Sequence, residues 1–224
     1  MNQIDSITFI NLTPSMAGYS CPGTPTVTDH QGNVYNTVQI GSQCWTKENM
    51  RCTTSPTGKN WTQLTIDQAS IAAPYYAIPS NLVCGVLYNW NAVIDSDFTV
   101  DTDCSFSGHR RGICPQGWHV PTHLEWSNLI CYLGGDAIAG DKMKALSSLW
   151  TSPNANATNS SGFSAISTGF YHDGFSSGND TYFWGINQSG LSYAWVRYLV
   201  SNYSDCFGDT YNKRLGFSVR CLKD

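Results

Sequence analysis

Residues 117–135 read GWHVPTHLEWSNLICYLGG. Thr122 and Glu125 stand at capping-box spacing: the threonine hydroxyl can accept from the third amide of a helix while the glutamate reaches back to the cap amide, and Pro121 lies just outside. A helix starts at Thr122. Trp126, Leu129, Ile130 and Leu133 then fall at i, i+3, i+4 and i+7, one apolar face, and Gly134-Gly135 supplies residues that leave a helix through the left-handed region. A shorter helix is expected around 141–149, where Met143, Leu146 and Leu149 recur every three residues.

On both sides of this segment the chain reads as strands. Residues 24–40, TPTVTDHQGNVYNTVQI, are two β-branched runs around a polar Asp-His-Gln-Gly-Asn cluster, a hairpin signal. The following GSQCWTKENMRC (41–52) puts Trp45 in the core and could close a small loop between Cys44 and Cys52. Residues 61–73 have a helix-compatible composition. C-terminal to the helices, 164–171, 182–186, 193–200 and 215–222 are short aromatic or β-branched runs between Gly/Ser/Asn/Asp clusters and read as antiparallel strands. The order is that of an α+β protein, with one or two helices segregated from a mostly antiparallel sheet and long loops between. It forms a single domain over 24–224 after an N-terminal extension, 1–23, and no fixed-period repeat divides it.

The composition narrows the partners. Charged residues are only 12% of the chain, the formal net charge is -4, and no basic run tracks a phosphate backbone, so nucleic acid is not an expected partner. The 8 Trp, 12 Tyr and 9 Phe supply enough burial to order 224 residues. No stretch approaches a membrane span and no secretory leader is visible in this numbering. Nine cysteines without a Cys-x-x-Cys pair disfavour zinc ribbons and thioredoxin chemistry. They point to disulfides in an oxidising compartment, with one thiol left over and the pairing open.

Candidate chemistry is sparse. His109, Arg110 and Arg111 form the one local cationic cluster, fit for a carboxylate or phosphate clamp or for ordinary surface pairing. His119 and His123 are four apart, but the helix begins between them, which separates them as metal ligands. Asp95, Asp97, Asp101 and Asp103, and separately Asp173, Asn179 and Asp180, could offer oxygens to calcium; neither set has EF-hand spacing, and acidic turns form without metal. No nucleophile stands beside a base in any known motif. The segment 184–211, WGINQSGLSYAWVRYLVSNYSDCFGDTY, is rich in the rings, amides and hydroxyls that make adaptable binding faces.

Several motifs, VTDHQGNVYNTVQIGSQCWTKENMR (27–51), LYNWNAV (87–93), ICPQGWHVPTHLEWSNL (113–129), SGFSAISTGF (161–170), SYAWVRYL (192–199) and NKRLGFSVRCLKD (212–224), resemble in sequence and order the Fibrobacter succinogenes major paralogous domain. That family looks like a relative of the formylglycine-generating-enzyme branch of the C-type-lectin fold. The resemblance implies a compact α+β fold with its chain ends close together, and a disulfide between Cys114 and Cys221, which lie in the two best-matched motifs. Oxidase chemistry in the enzyme branch needs a close cysteine pair near the C-terminal strands, whereas here Cys206 stands alone. Members of the wider superfamily serve as targets of diversity-generating retroelements, and the mixed run 202–211 is compatible with such a segment.

The expected function is therefore non-catalytic, with no cofactor required and calcium compatible. The expected protein is an adhesion or receptor-binding protein at the cell surface, outside the cell or on a virion, free or as a homo-oligomer, that presents a face to a glycan or protein receptor. Its ligand-binding residues are expected to be Trp184, Tyr193, Tyr198, Asn202, Tyr203, Asp205, Phe207, Asp209 and Tyr211. The alternatives are a structural pilus or surface-layer module, whose aromatics are all core and subunit contacts, and an oxidoreductase acting through Cys206.

Overall fold

The computed structural model describes residues 18–65, 68, 70–96, 108–176 and 179–224. Strands β1 (Thr26–Thr28), β2 (Val34–Ile40) and β3 (Gln43–Thr46) form an N-terminal meander. Then come β4 (Thr62–Leu64), β5 (Tyr75–Ala77), a 3-10 turn (Leu82–Cys84), β6 (Leu87–Tyr88) and the short helix α1 (Trp90–Val93). After β7 (Trp118–His119) follow α2 (His123–Tyr132) and α3 (Asp136–Met143), then β8 (Asp180–Gln188), β9 (Tyr193–Val200), β10 (Cys206–Asn212) and β11 (Leu222–Lys223). They make a five-stranded sheet in the order β1-β2-β3-β11-β7, a meander β10-β9-β8 and a small sheet β4-β5-β6. Among these strands only β4 and β5 pair in parallel, so the architecture is α+β and mostly antiparallel.

The expected hairpin forms, with Val27 opposite Tyr35, and Trp45 is fully buried. The helix expected at Thr122 forms with its complete capping box, and Trp126, Leu129, Ile130 and Leu133 are all buried. It ends at the two glycines, which take φ of 103° and 101°. That conformation favours residues without a Cβ.

Other elements differ from expectation. The second helix starts directly after Gly135 and stops at Met143, and Leu146 is 73% exposed: Ala145 instead donates its amide to the Ala165 carbonyl, which pulls the chain out of the helix. Residues 62–64 are a strand, because the β-branched Thr62 and its neighbours pair with 75–77; part of the stretch expected to be helical, 66, 67 and 69, lies outside the described residues. The run 164–171 gives only isolated bridges, since Ser164 and Gly169 have positive φ and interrupt an extended course. Residues 215–222 are extended but change partners, from Tyr88 at Phe217 to Phe183 at Ser218, before entering β11. Strand β10, which Gly208, Asp209 and Thr210 disguise, is held by full register with β9.

Three packed regions lie between these elements, a small one of Leu64, Tyr75, Ala77, Leu87 and Tyr171 and two large ones. One gathers Tyr88, Trp90, Trp118, Trp184 and Phe217; the other lies beneath α2 and α3 and holds Trp45, Trp126, Phe163, Phe183 and Leu199, with the Trp45 and Trp126 rings 4.7 Å apart. Arg220, 1% exposed, donates to the carbonyls of Thr46 (3.1 Å) and Phe163 (2.8 Å) and to the Asn49 side chain, under the Phe163 ring at 4.6 Å. Burial lowers its guanidinium to about 9.

Cys114 and Cys221 are disulfide-bonded with a Cα separation of 5.8 Å. Cys44 pairs with Cys21 rather than closing a loop to Cys52. Cys52, Cys84 and Cys206 are buried free thiols and Cys131 an exposed one, so four thiols rather than one are unpaired among the described residues; Cys104 lies outside them. The buried three fill apolar space as small hydrophobes. Cys21 and the bridge from Tyr19 to Gln39 tie the stretch before Thr24 to the sheet, and Lys223 donates to the Thr24 hydroxyl at 2.9 Å, which holds Thr24 beside β11.

Candidate functional site

The meander β8-β9-β10 has two faces, because successive strand residues alternate. One face meets the helices: Arg197 donates to Asp136 at 3.1 Å and to the Ser127 hydroxyl at 3.0 Å, Trp195 lies 4.1 Å from the His123 ring, and Leu199 and Cys206 join the core. On the other face Tyr182, Tyr198 and Phe207 are direct cross-strand partners. Their rings stack in series, at 5.1 Å from Tyr182 to Tyr198 and 5.0 Å from Tyr198 to Phe207.

Phe217 extends the series inward, stacked on Tyr182 at 4.8 Å, and Tyr203 extends it outward, edge-on to Phe207 at 5.6 Å. Tyr211 stands edge-on to Tyr182 at 5.4 Å. The series thus runs from a fully buried ring, Phe217, through half-buried Tyr198 and Phe207 to Tyr203, which is 50% exposed. Each ring packs against the next, which narrows the rotamers open to the outer members.

Two carboxylates flank the rings. The Tyr182 hydroxyl donates to Asp180 at 3.1 Å, and burial raises the Asp180 carboxyl against that bond. Asp209, exposed on β10 between Phe207 and Tyr211, acts on the phenols: burial and then Asp209 push Tyr198 up, and burial, Tyr198 and Asp209 push Tyr211 up. Both phenols stay protonated at neutral pH and can donate.

The turn between β9 and β10 is held from beneath. The buried Lys144 ammonium donates to the backbone carbonyls of Ala155 (2.8 Å), Ser201 (3.4 Å) and Tyr203 (2.6 Å), with Val200 at 3.5 Å. The Asp141 amide bonds the Ser204 carbonyl, and Gly140 of α3 lies against Ser204 and Asp205 so closely that an added Cβ would sit 2.3 Å from the Asp205 carbonyl.

Of the residues singled out in the sequence, Tyr198, Phe207, Asp209 and Tyr211 share this face and Tyr203 joins them over the turn. Asn202 is exposed and Asp205 half-buried in the same turn. Tyr193 is 47% exposed, but strand alternation puts it with Trp195 on the helix side. Trp184 does not belong to the set: it is fully buried, its indole donates to the Tyr88 carbonyl at 2.8 Å, and its ring lies 4.6 Å from Phe217. Tyr182 and Phe217 are not among the residues the sequence singles out, and Asp180, read there as a calcium ligand, accepts from the Tyr182 hydroxyl instead. Tyr182 was within reach, since it stands two residues from Trp184 on the same face of one strand.

A cleft of about 450 Å³ opens nearby, lined by Gln63, Asn81, Ser167 and Ser176 over Leu64 and Phe175, with no charged side chain in its wall among the described residues. It is joined to the aromatic series through Ser176, which exchanges hydrogen bonds with the Phe170 backbone; the Phe170 ring meets Tyr182 edge-on at 5.6 Å.

The ionic candidates separate. Arg110 and Arg111 donate to the carbonyls of Ile94 (2.7 Å) and Cys114 (3.0 Å), so they do not converge on an anion. His123 lies on Trp195 and His119 points elsewhere, into a cluster with His109 and Glu125. Asp97, Asp101 and Asp103 lie outside the described residues, and Asp95 accepts from Ser55 and Thr57 at 2.6 Å each. Asp173 accepts from the Ser70 amide at 3.0 Å. Cys206 is sealed in the core, and burial pushes its thiol up to about 12, which removes it as a thiolate nucleophile or ligand near neutral pH.

No helix among the described residues is long and apolar enough to cross a membrane. A family model described as the Fibrobacter succinogenes major domain matches residues 38–223. Neither a curated protein nor a solved structure matches the chain.

Proposed function

Because the chain belongs to the Fibrobacter succinogenes major domain family over most of its length, with a rigid aromatic face on its C-terminal meander, we propose that it is a non-catalytic recognition protein. It binds a glycan or protein receptor outside the cell through Tyr198, Tyr203, Phe207, Asp209 and Tyr211. The observation that carries this reading is the ring series graded from core to solvent. Its inner members fix the outer ones, so a visitor meets area that loses little entropy on binding, flanked by phenol donors and a carboxylate acceptor. The uncharged cleft beside it suits the hydroxyls of a neutral sugar. Two disulfides suit an oxidising exterior, and the sealed Cys206 supports a reading without thiol chemistry.

The turn between β9 and β10 and the outward positions of β10 are where a diversifying retroelement would do least damage. Asn202, Tyr203, Phe207, Asp209 and Tyr211 can vary on the open side, whereas Cys206 and Gly208 are held by the core and by Arg197. A locus without a template repeat and a reverse transcriptase would remove this part of the reading.

The test of binding is a panel of immobilised glycans and intact cells probed with the full chain. Tyr203→Ala and Tyr211→Ala are expected each to weaken binding by about tenfold or more, and Tyr193→Ala, on the other face, to leave it unchanged. Equal loss in Tyr193→Ala, or none in the other two, removes the site.

A further inference from the structure

Away from the aromatic face, His109, His119 and Glu125 bring one ligand atom each within 4.8 Å of the others. Glu125 Oε1 lies 3.0 Å from His119 Nε2 and 3.2 Å from His109 Nε2. Ligand atoms held tetrahedrally by an ion at 2.0–2.1 Å stand about 3.3 Å apart, close to both separations. We infer that this cluster is a binding site for a zinc-type divalent ion, ligated by His109 Nε2, His119 Nε2 and Glu125 Oε1.

Three features beyond the convergence point to a cation. His119, 1% exposed, faces a carboxylate with each ring nitrogen: Nδ1 is 2.7 Å from Asp224 and Nε2 is 3.0 Å from Glu125. With Nδ1–H donated to Asp224, Nε2 is turned toward Glu125 Oε1, and an ion held between these two atoms takes the place of the proton that links them in the metal-free protein. Secondly, the Asp224–His119 contact is the outer-shell arrangement that fixes the tautomer and ring orientation of metal-bound histidines. Thirdly, the donors sit on anchored backbone. His119 ends β7, Glu125 lies in the first turn of α2 with its other oxygen held by the Thr122 amide and hydroxyl, and the Cys114–Cys221 disulfide ties the segment that follows His109 to the one that precedes Asp224.

The His109 ring lies stacked on His119, with centroids 4.0 Å apart and planes at 10°, so the two Nε2 lone pairs run nearly parallel; the His109 side chain, 56% exposed, has to turn out of this stack to direct its lone pair at a shared ion. Two imidazoles and one carboxylate select zinc over calcium or magnesium, which take oxygen donors. Glu125 and Asp224 also line a cleft of about 440 Å³ with Gln43 and Asn128.

The full chain, stripped with EDTA, is titrated with Co²⁺ and then Zn²⁺. One saturating equivalent of Co²⁺ with the visible absorption of a four-coordinate ion, displaced by Zn²⁺, is expected. In competition with a chromogenic chelator, His109→Ala should weaken Zn²⁺ binding roughly tenfold or more, and Asp224→Asn, which keeps all three ligands, by about ten- to a hundredfold. His123→Ala should bind as the native chain does. Absence of saturable binding by the folded native chain, or native affinity in His109→Ala, overturns the site.

Discussion

Glu125 closes the capping box of α2 through one oxygen and meets two histidines through the other. Burial would raise its carboxyl, but the bonds from His119 and from the Thr122 amide and hydroxyl outweigh that and hold it at about 2. A folded-state value below the unfolded one stabilises fully above about pH 4.5 and is lost as pH falls toward 2. In metal-free protein the unfolding free energy from urea titrations should therefore decline across that window by an amount on the order of 2–3 kcal/mol that Glu125→Gln no longer shows. His119 runs the other way: burial lowers it, its two carboxylates outweigh burial and raise it, and its contribution is present at low pH and lost as pH rises through the raised value. At this scale the sequence is readable where a rule is local. Tyr198, Phe207, Asp209 and Tyr211 follow from period-two alternation along neighbouring strands. Trp184 obeys the same alternation yet is core, because Tyr88 and Phe217 cover it from elsewhere in the chain. The burial of Arg220 and Lys144 was equally hidden, since their carbonyl partners come from segments far apart in sequence.

Helix α2 carries its start, its buried face and its stop within nineteen residues, 117–135, and all three were legible there. Helix α3 was misplaced because its limits are set by contacts: Gly135 caps it and the bridge from Lys144 to Ala165 ends it. Its packing against the β9–β10 turn yields a substitution that runs against propensity. Alanine is the better helix former by about 1 kcal/mol, yet Gly140→Ala should lower stability by about 1–3 kcal/mol, because the new Cβ would meet the Asp205 carbonyl at 2.3 Å and the Ser204 carbonyl at 2.7 Å. Thermal unfolding checks the sign; a gain in melting temperature would show that the turn moves away freely. Thr122→Ala should cost about 1 kcal/mol, read from the denaturant midpoint, as the Glu125 amide loses its acceptor.

At the scale of the molecule, two disulfides among the described residues constrain loops of very different length, with sequence separations of 23 and 107 residues. On chain entropy alone, replacing both Cys114 and Cys221 by serine should cost about 5 kcal/mol, against about 3 kcal/mol for Cys21 and Cys44. Denaturant midpoints of the two double variants, compared with the oxidised parent, give the order; the reverse order would mean that the C-terminal strand is already confined in the unfolded chain. The ammonium of Lys144 has a quieter role. It grips Ala155, Ser201 and Tyr203 by main-chain oxygens alone, so it is blind to which side chains those positions carry. Side chains at the tip of the hairpin can thus be exchanged one by one while the loop keeps its shape.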